Sequence, residues 1–160
     1  MADQRWDLLI QNALIFDGSG DAPVEQDIAV DKGVIVARGV SLPANNAAST
    51  VDASGQWLTP GLMDIHTHLD LEVELEPGLA EVVRHGTTSV IIGNCSLGLA
   101  FGSQERNGES PIVDCFTRVE NIPKSVLRKT IEHVDWDNSA DYLDHFDRLA
   151  MGPNIAALLP

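Results

Sequence analysis

The sequence is poor in basic residues and in long hydrophobic runs. Its 160 residues include 10 Lys and Arg against 24 Asp and Glu, which gives a formal net charge of −14. Such acidity repels nucleic acid and anionic membranes, so we expect neither as a partner. No segment approaches the roughly 18 consecutive apolar residues of a membrane span. The polar start, MADQRWD, is unlike a signal peptide, so the sequence predicts a cytoplasmic protein.

Cysteine is also scarce, being limited to Cys95 and Cys115. One disulfide between them is conceivable, but a reducing cytoplasm disfavours it. Hydrophobic residues make up 44% of the chain and charged residues 21%, which is close to ordinary globular usage. The chain therefore has enough apolar material for a sizeable core, and it contains no internal repeat or low-complexity segment.

Before residue 56 the chain has short apolar or alternating runs separated by turn residues. These runs predict strands at residues 7–16, 27–30 and 34–39. The sequence Asp-Lys-Gly before residue 34 is typical of a hairpin, because glycine tolerates positive φ. Residues 41–54, rich in Ala, Asn, Ser and Pro, predict a loop with one short strand at 50–52. We therefore predict a small antiparallel β unit over residues 1–56.

From residue 57 onward the pattern becomes strand, helix, strand. It predicts a strand at 62–65, a helix at 77–85 and a strand at 89–92, with Gly86 just past the helix end. This order is typical of a parallel βαβ unit, in which ligand residues follow the strands.

The rest of the chain has weaker patterns. Residues 100–123 have no clear period and are interpreted as a long insertion on the active-site side. Two helices are predicted at 123–133 and 139–151, the second with Ser139 as N-cap and Gly152 as its stop. An apolar strand is predicted over residues 154–160.

Two histidines, His66 and His68, follow a Pro-Gly turn and the strand predicted at 62–65. Side chains alternate along a strand, so both imidazoles point to the same face. Imidazole nitrogen suits zinc and its first-row neighbours. Such a pair also arises by chance, with each histidine capping a loop, but the turn and strand before it favour a metal site.

Cys95 follows the strand predicted at 89–92 and a Gly-Asn turn. A single cysteine after a strand is often an inert buried residue. Neighbouring parallel strands end at the same edge, however, so Cys95 would lie near His66 and His68, where a cation would deprotonate its thiol. We therefore predict a metal site formed by these three residues.

Asp64 and Asp70 flank the histidine pair, and either could orient an imidazole. For both, an ordinary strand-end acid is the preferred interpretation. The remaining candidates are predicted to lie outside the site: His85 as a helix C-terminal cap, His133 and His145 as solvated helical residues, and Cys115 as a structural residue.

Two blocks of the sequence resemble a known family. Residues 58–70, LTPGLMDIHTHLD, resemble the entry to the first barrel strand of the amidohydrolase superfamily, which hydrolyses amides, cyclic imides and related bonds. Residues 85–95, HGTTSVIIGNC, resemble the second barrel strand of the N-acyl-D-amino-acid deacylases, where Gly-Asn-Cys supplies a metal-binding thiolate. Most other members lack this cysteine and use a carboxylated lysine. Together the blocks identify the chain as similar to the D-aminoacylase type over nearly its whole length.

The resemblance implies an α/β fold: part of a metal-dependent (β/α)8 barrel over residues 57–160, preceded by part of a β-sandwich over residues 1–56. A complete barrel takes roughly 250 residues, so we expect the N-terminal part of a longer enzyme. The resemblance implies zinc held by His66, His68 and Cys95, and a small N-acyl amino acid or related amide as substrate. The family's general base, an Asp on a late strand, would lie downstream. No catalytic acid or base is therefore predicted in this chain, which we expect to be inactive alone.

Two alternatives remain open. One is a cyclic amidase of the dihydroorotase or hydantoinase type, which a downstream carboxylated lysine would favour. The other is a truncated module without catalytic activity. Ser96 stands where the deacylases usually have glycine, and Leu69 stands where many have an aromatic or acidic residue. These departures leave the substrate preference open, and the sequence makes no prediction of oligomeric state.

Overall fold

The computed structural model describes residues 6–159, which divide after Pro60 into two units. The division lies slightly beyond the boundary expected after residue 56, because Trp57 and Leu58 still pair with the first strand of the chain. Within the described residues, none of the helices has both the length and the apolar character needed to cross a membrane.

The first unit is a five-stranded sheet. Its strands are β1 (Trp6–Ile15), β2 (Val24–Asp31), β3 (Val34–Gly39), β4 (Ala47–Asp52) and β5 (Trp57–Leu58). The order is β3-β2-β1-β4, and β5 also pairs with β1. The strands predicted for β1, β2 and β3 are confirmed, with ends that differ by a few residues. Apolar side chains on one face, including Ala13, Ile15 and Ile28, form the small core of this unit.

The predicted antiparallel unit is antiparallel only in part. β1, β2 and β3 pair antiparallel, but β4 and β5 both run parallel to β1. β4 also begins at Ala47 rather than at residue 50. Alanine and serine are weak strand formers, so pairing with the free edge of β1, rather than local propensity, makes this stretch a strand.

The second unit contains a three-stranded parallel sheet, in the order β6-β7-β8. The strands are β6 (Leu62–Asp64), β7 (Thr87–Ile92) and β8 (Asn154–Ala157). β7 pairs in parallel with β6 on one side and with β8 on the other. The predicted βαβ unit is therefore confirmed, and the C-terminal ends of β6 and β7 are neighbours.

Five helices accompany this sheet: α1 (Glu72–Leu75), α2 (Ala80–Arg84), α3 (Pro111–Val119), α4 (Lys124–Ile131) and α5 (Ser139–Phe146). They cover a core in which Leu79, Val90 and Ile92 meet aromatic side chains such as Phe116 and Tyr142. The core reaches the sheet through Val90 and Ile92 of β7, whereas the residues of β6 are exposed.

Two predictions between residues 77 and 123 need correction. The helix predicted at 77–85 starts only at Ala80, because Leu79 has a left-handed backbone with φ of 43°. The segment 100–123, expected to lack regular structure, contains α3, in which only Val113 and Phe116 are buried. Apolar residues at positions 112, 113, 116 and 119 recur at helical spacing, so this part of the segment does carry a helical period.

The helix predicted at 139–151 is also corrected at both ends. α5 stops at Phe146, well before Gly152, because the next peptides make tight turns in which Arg148 N–H donates to His145 O. Its N-cap is Asn138 rather than Ser139: Asn138 Oδ1 accepts hydrogen bonds from the backbone N–H groups of residues 140 and 141.

Candidate metal centre

The structure brings together the three predicted ligands, His66, His68 and Cys95. Their candidate ligand atoms all lie within 4.8 Å of one another, and Cys95 Sγ is 3.4 Å from His66 Nε2. His66 and Cys95 are exposed, whereas His68 is half-buried. Two imidazoles and a thiol thus share one small region at the ends of β6 and β7.

The histidines lie just beyond β6, which ends at Asp64, yet side chains still alternate there. Thr67, between the two histidines, is buried and points the other way: its Oγ1 donates to Ile91 O at 2.8 Å, and its N–H donates to the same oxygen at 3.2 Å. This attachment to the end of β7 leaves His66 and His68 on the opposite side, with ring centroids 5.5 Å apart.

The backbone around Cys95 is unusual. Gly93, Cys95 and Ser96 have φ values of 79°, 57° and 60°, all in the left-handed region. Residues other than glycine adopt this region at a cost of roughly 1–2 kcal/mol each. Asn94, in the middle, is buried, and its side-chain N–H₂ donates to Ile91 O and Thr67 O. Cys95 lies within this sharp turn at the end of β7, and its Sγ lies beside His66.

Asp70 is the acidic residue most closely tied to this turn. Only 1% exposed, it accepts a hydrogen bond at Oδ2 from Gly93 N–H at 3.2 Å. Burial raises the pKa of Asp70 to about 6, although the hydrogen bond from Gly93 works in the opposite direction. The interpretation of Asp70 as an ordinary strand-end acid is therefore wrong. The same interpretation does fit Asp64, which is exposed and accepts a hydrogen bond from His66 N–H.

The other candidates lie outside the cluster. His85 caps α2 as predicted, with Nδ1 2.7 Å from Glu81 O, and His133 is exposed. The prediction that His145 is solvated is wrong: its Nε2 lies 2.8 Å from Glu74 Oε2, and its ring centroid lies 4.4 Å from that of Trp136, with the two rings tilted by 36°.

Glu74 is itself buried. Its side chain is 5% exposed, and burial raises its pKa against the opposing effect of His145. The two cysteines are free thiols, and Cys115 lies half-buried on α3. The described residues thus contain one His-Cys cluster and, separately, one buried His-Glu pair.

The ligand types of the cluster suit a transition metal such as zinc, and the distance between Cys95 Sγ and His66 Nε2 suits one as well. Zinc binds thiolate at about 2.3 Å and imidazole at about 2.0 Å in a tetrahedral arrangement. Two such ligands are then about 3.5 Å apart, close to the 3.4 Å between Cys95 Sγ and His66 Nε2. In addition, His68 Nδ1 is buried and has no hydrogen-bond partner among residues 6–159. Ligand type, spacing and this unpaired nitrogen all agree with a metal site.

Among the residues that join the two ligand segments, sequence reasoning missed Thr67 and Asn94, and it preferred an ordinary strand-end role for Asp70. Each lies within two residues of a predicted ligand, and that proximity is the signal that could have drawn attention to them. Their burial and hydrogen bonds depend on how β6 and β7 are placed, which local patterns do not reveal.

Comparison with known proteins gives related sequences, although no family model matches the chain. An uncharacterised protein of Mycobacterium tuberculosis is 41% identical over 157 residues, covering 96% of this chain and 25% of that protein. The N-acyl-D-aspartate deacylase of Alcaligenes xylosoxydans xylosoxydans is 38% identical over 99 residues, covering 62% of this chain and 20% of that enzyme. The chain spans about a quarter of the length, or less, of these curated relatives.

Solved structures of two deacylases are similar to this chain in fold. The N-acyl-D-glutamate deacylase of Bordetella bronchiseptica, in complex with zinc and a phosphonate that mimics the tetrahedral intermediate, superimposes with a TM-score of 0.73. The match has 27% sequence identity and covers 97% of this chain and 29% of that one. A structure of D-aminoacylase gives a TM-score of 0.72 at 23% identity. The described part of the chain therefore has the fold of the corresponding part of these enzymes.

Proposed function

Because this chain belongs to the D-aminoacylase type of the amidohydrolase superfamily, we propose that its parent protein hydrolyses the amide bond of N-acyl-D-amino acids. The observation that carries the proposal is the meeting of His66, His68 and Cys95 at the ends of β6 and β7. On this proposal the second unit supplies the opening strands of a (β/α)8 barrel, whose active sites lie at the C-terminal ends of the strands.

The proposed cofactor is zinc. When bound, zinc lowers the pKa of a water ligand and polarises the amide carbonyl. To hold it, Cys95 would act as a thiolate and the two histidines as neutral imidazoles, so binding would release protons and weaken at low pH. Thr67, through its bonds to Ile91 O, orients the segment between the histidines.

The proposed substrate is a small N-acyl-D-amino acid. This rests on the relatives, which act on N-acyl-D-aspartate and N-acyl-D-glutamate. The acid–base step, in which a carboxylate delivers a proton to the leaving amine, is not assigned to any residue of this chain. We expect that group further along the parent protein.

Exchange of each cysteine for serine in the full-length protein tests the proposal. Cys95→Ser should reduce bound zinc and lower the deacylation rate by at least about tenfold, because an alcohol oxygen is a far poorer zinc ligand than thiolate. His66→Asn and His68→Asn should also lower metal content and rate. The measurements are zinc per chain and initial rates with N-acetyl-D-aspartate, N-acetyl-D-glutamate and apolar N-acetyl-D-amino acids.

Cys115→Ser is the matched control, since Cys115 lies on α3 outside the cluster. It should leave zinc content and rate nearly unchanged. Equal behaviour of the two serine variants would remove the basis for a metal-binding Cys95. Hydrolysis of dihydroorotate or hydantoins, without activity on N-acyl-D-amino acids, would favour the cyclic amidase instead.

A further inference from the structure

We infer that Asp70 is a positioning residue that holds the Cys95 turn against the histidine segment; the inference rests on the metal centre proposed above. The hydrogen bond from Gly93 N–H to Asp70 Oδ2 joins the two ligand segments, and each of its ends lies two residues from a proposed ligand. Asp70 follows His68 by two residues, and Gly93 precedes Cys95 by two residues. A change at this bond would therefore alter the distance between thiol and imidazoles.

The surroundings of Asp70 show that the carboxylate is enclosed by this turn. Its Oδ1 is buried and has no hydrogen-bond partner in the described part of the chain. A Cβ added to Gly98 would lie 3.4 Å from that oxygen, so the chain after Cys95 passes directly over the carboxylate. Burial of a carboxylate with so few partners opposes folding. Fold stability alone therefore gives no reason for an acid here, whereas anchoring Gly93 N–H does.

The turn requires anchoring because its backbone is unfavourable. Cys95 and Ser96 both adopt the left-handed conformation, which L-residues disfavour. Gly93 has no room for a side chain, since a Cβ there would meet the carbonyl oxygen of Leu158 just after β8. Asn94 is held from the other side by its bonds to Ile91 O and Thr67 O. Asp70, in the histidine segment, holds Gly93 by a further hydrogen bond at the point where the chain leaves β7.

The test uses the full-length protein loaded with Co²⁺, whose bond to a thiolate gives a charge-transfer band in the near ultraviolet. We expect the band in the unmodified protein. Asp70→Ala should weaken Co²⁺ and Zn²⁺ binding about 10- to 100-fold, the usual effect of removing a group that orients a ligand, and should shift or diminish the band. Asp70→Asn should stay within a few fold of the unmodified protein, because its amide oxygen can still accept from Gly93 N–H.

Glu74→Ala is the matched control. Glu74 is also a buried acid, four residues further along, but its hydrogen bond is to His145. Its loss should lower stability and leave the band and the metal affinity within about twofold. This separates a general weakening of the fold from a specific effect on Cys95.

Each outcome decides the inference. It is overturned if Asp70→Ala keeps the band and the affinity, or if Asp70→Asn is as defective as Asp70→Ala. Should the Ala variant fail to fold, Asp70→Val removes the acceptor while filling the space; if neither folds while Glu74→Ala does, Asp70 is structural and the inference fails. Absence of the band in the unmodified protein would instead overturn the proposed metal centre, and this inference with it.

Discussion

Ser96 follows Cys95 in the turn and shares its left-handed backbone, with φ of 60°. It is exposed and makes no side-chain hydrogen bond within residues 6–159. The glycine that the deacylases usually carry at this position would suit such a backbone, because glycine has no Cβ to clash. The serine therefore retains a local strain that its side chain does not offset.

Replacing Ser96 by glycine should stabilise the protein. Removal of the left-handed strain should stabilise the folded state by about 1–2 kcal/mol. The greater conformational entropy of glycine in the unfolded chain should offset about 0.5–1 kcal/mol of this stabilisation. We expect the free energy of unfolding, measured by urea denaturation of the metal-free protein, to rise by about 0.5–1 kcal/mol.

Ser125→Gly provides the comparison, since Ser125 is exposed within α4, where the backbone is right-handed. There the same exchange should lower the free energy of unfolding by about 0.5 kcal/mol. Loss of stability in both variants would show that Ser96 is not strained.

At the scale of an element, α5 shows how one residue sets the start of a helix. Asn138 Oδ1 accepts from the N–H groups of Ala140 and Asp141, whereas Ser139 is the first residue inside the helix. The sequence Asn-Ser offers two adjacent capping residues of similar preference. In the structure Asn138 is the cap, since it has the extended backbone of an N-cap, with φ of −140° and ψ of 161°.

Alanine substitution should distinguish the contributions of Asn138 and Ser139 to stability. Asn138→Ala should lower the free energy of unfolding by about 1 kcal/mol, because two N–H groups lose their acceptor. Ser139→Ala should change it by less than about 0.5 kcal/mol, since alanine favours the helix interior. Thermal and urea denaturation would measure both; a larger loss for Ser139→Ala would contradict the N-cap seen in the structure.

At the scale of the whole molecule, the candidate ligands found among residues 6–159 come from the ends of two neighbouring strands. The sheet of the second unit has β6 and β8 at its edges, and Leu62, Met63 and Ile65 near β6 are 60–64% exposed. An exposed apolar edge of this kind is ready to pair with further strands. The relatives, of which this chain spans about a quarter or less, are long enough to supply them.

The 160-residue chain alone should therefore show no deacylase turnover. It supplies three candidate ligands but no assigned general base, and the edges of its described sheet are open. The measurement is hydrolysis of N-acetyl-D-amino acids with added Zn²⁺, with the full-length protein as positive control. Zinc-stimulated hydrolysis by the pure chain would disprove this expectation.

The sequence by itself determined the features that depend on neighbouring residues. The alternation around Thr67 and the strand–helix–strand order were sufficient to predict that His66, His68 and Cys95 would meet, because parallel strands end at one edge. That these residues bind a metal stays a prediction. The same local reasoning found His85 as a helix cap, since a cap is a contact within one turn.

Only the tertiary structure decided the features that depend on residues distant in the chain. The parallel pairing of β4 with β1, the burial of His145 against Glu74 and the bond between Asp70 and Gly93 all join segments more than 20 residues apart. Nothing in the immediate neighbourhood of Asp70 distinguishes it from Asp64. Asp70 is buried because the chain after Cys95 folds over it, and a carboxylate enclosed in this way must find its partners in the segment that covers it.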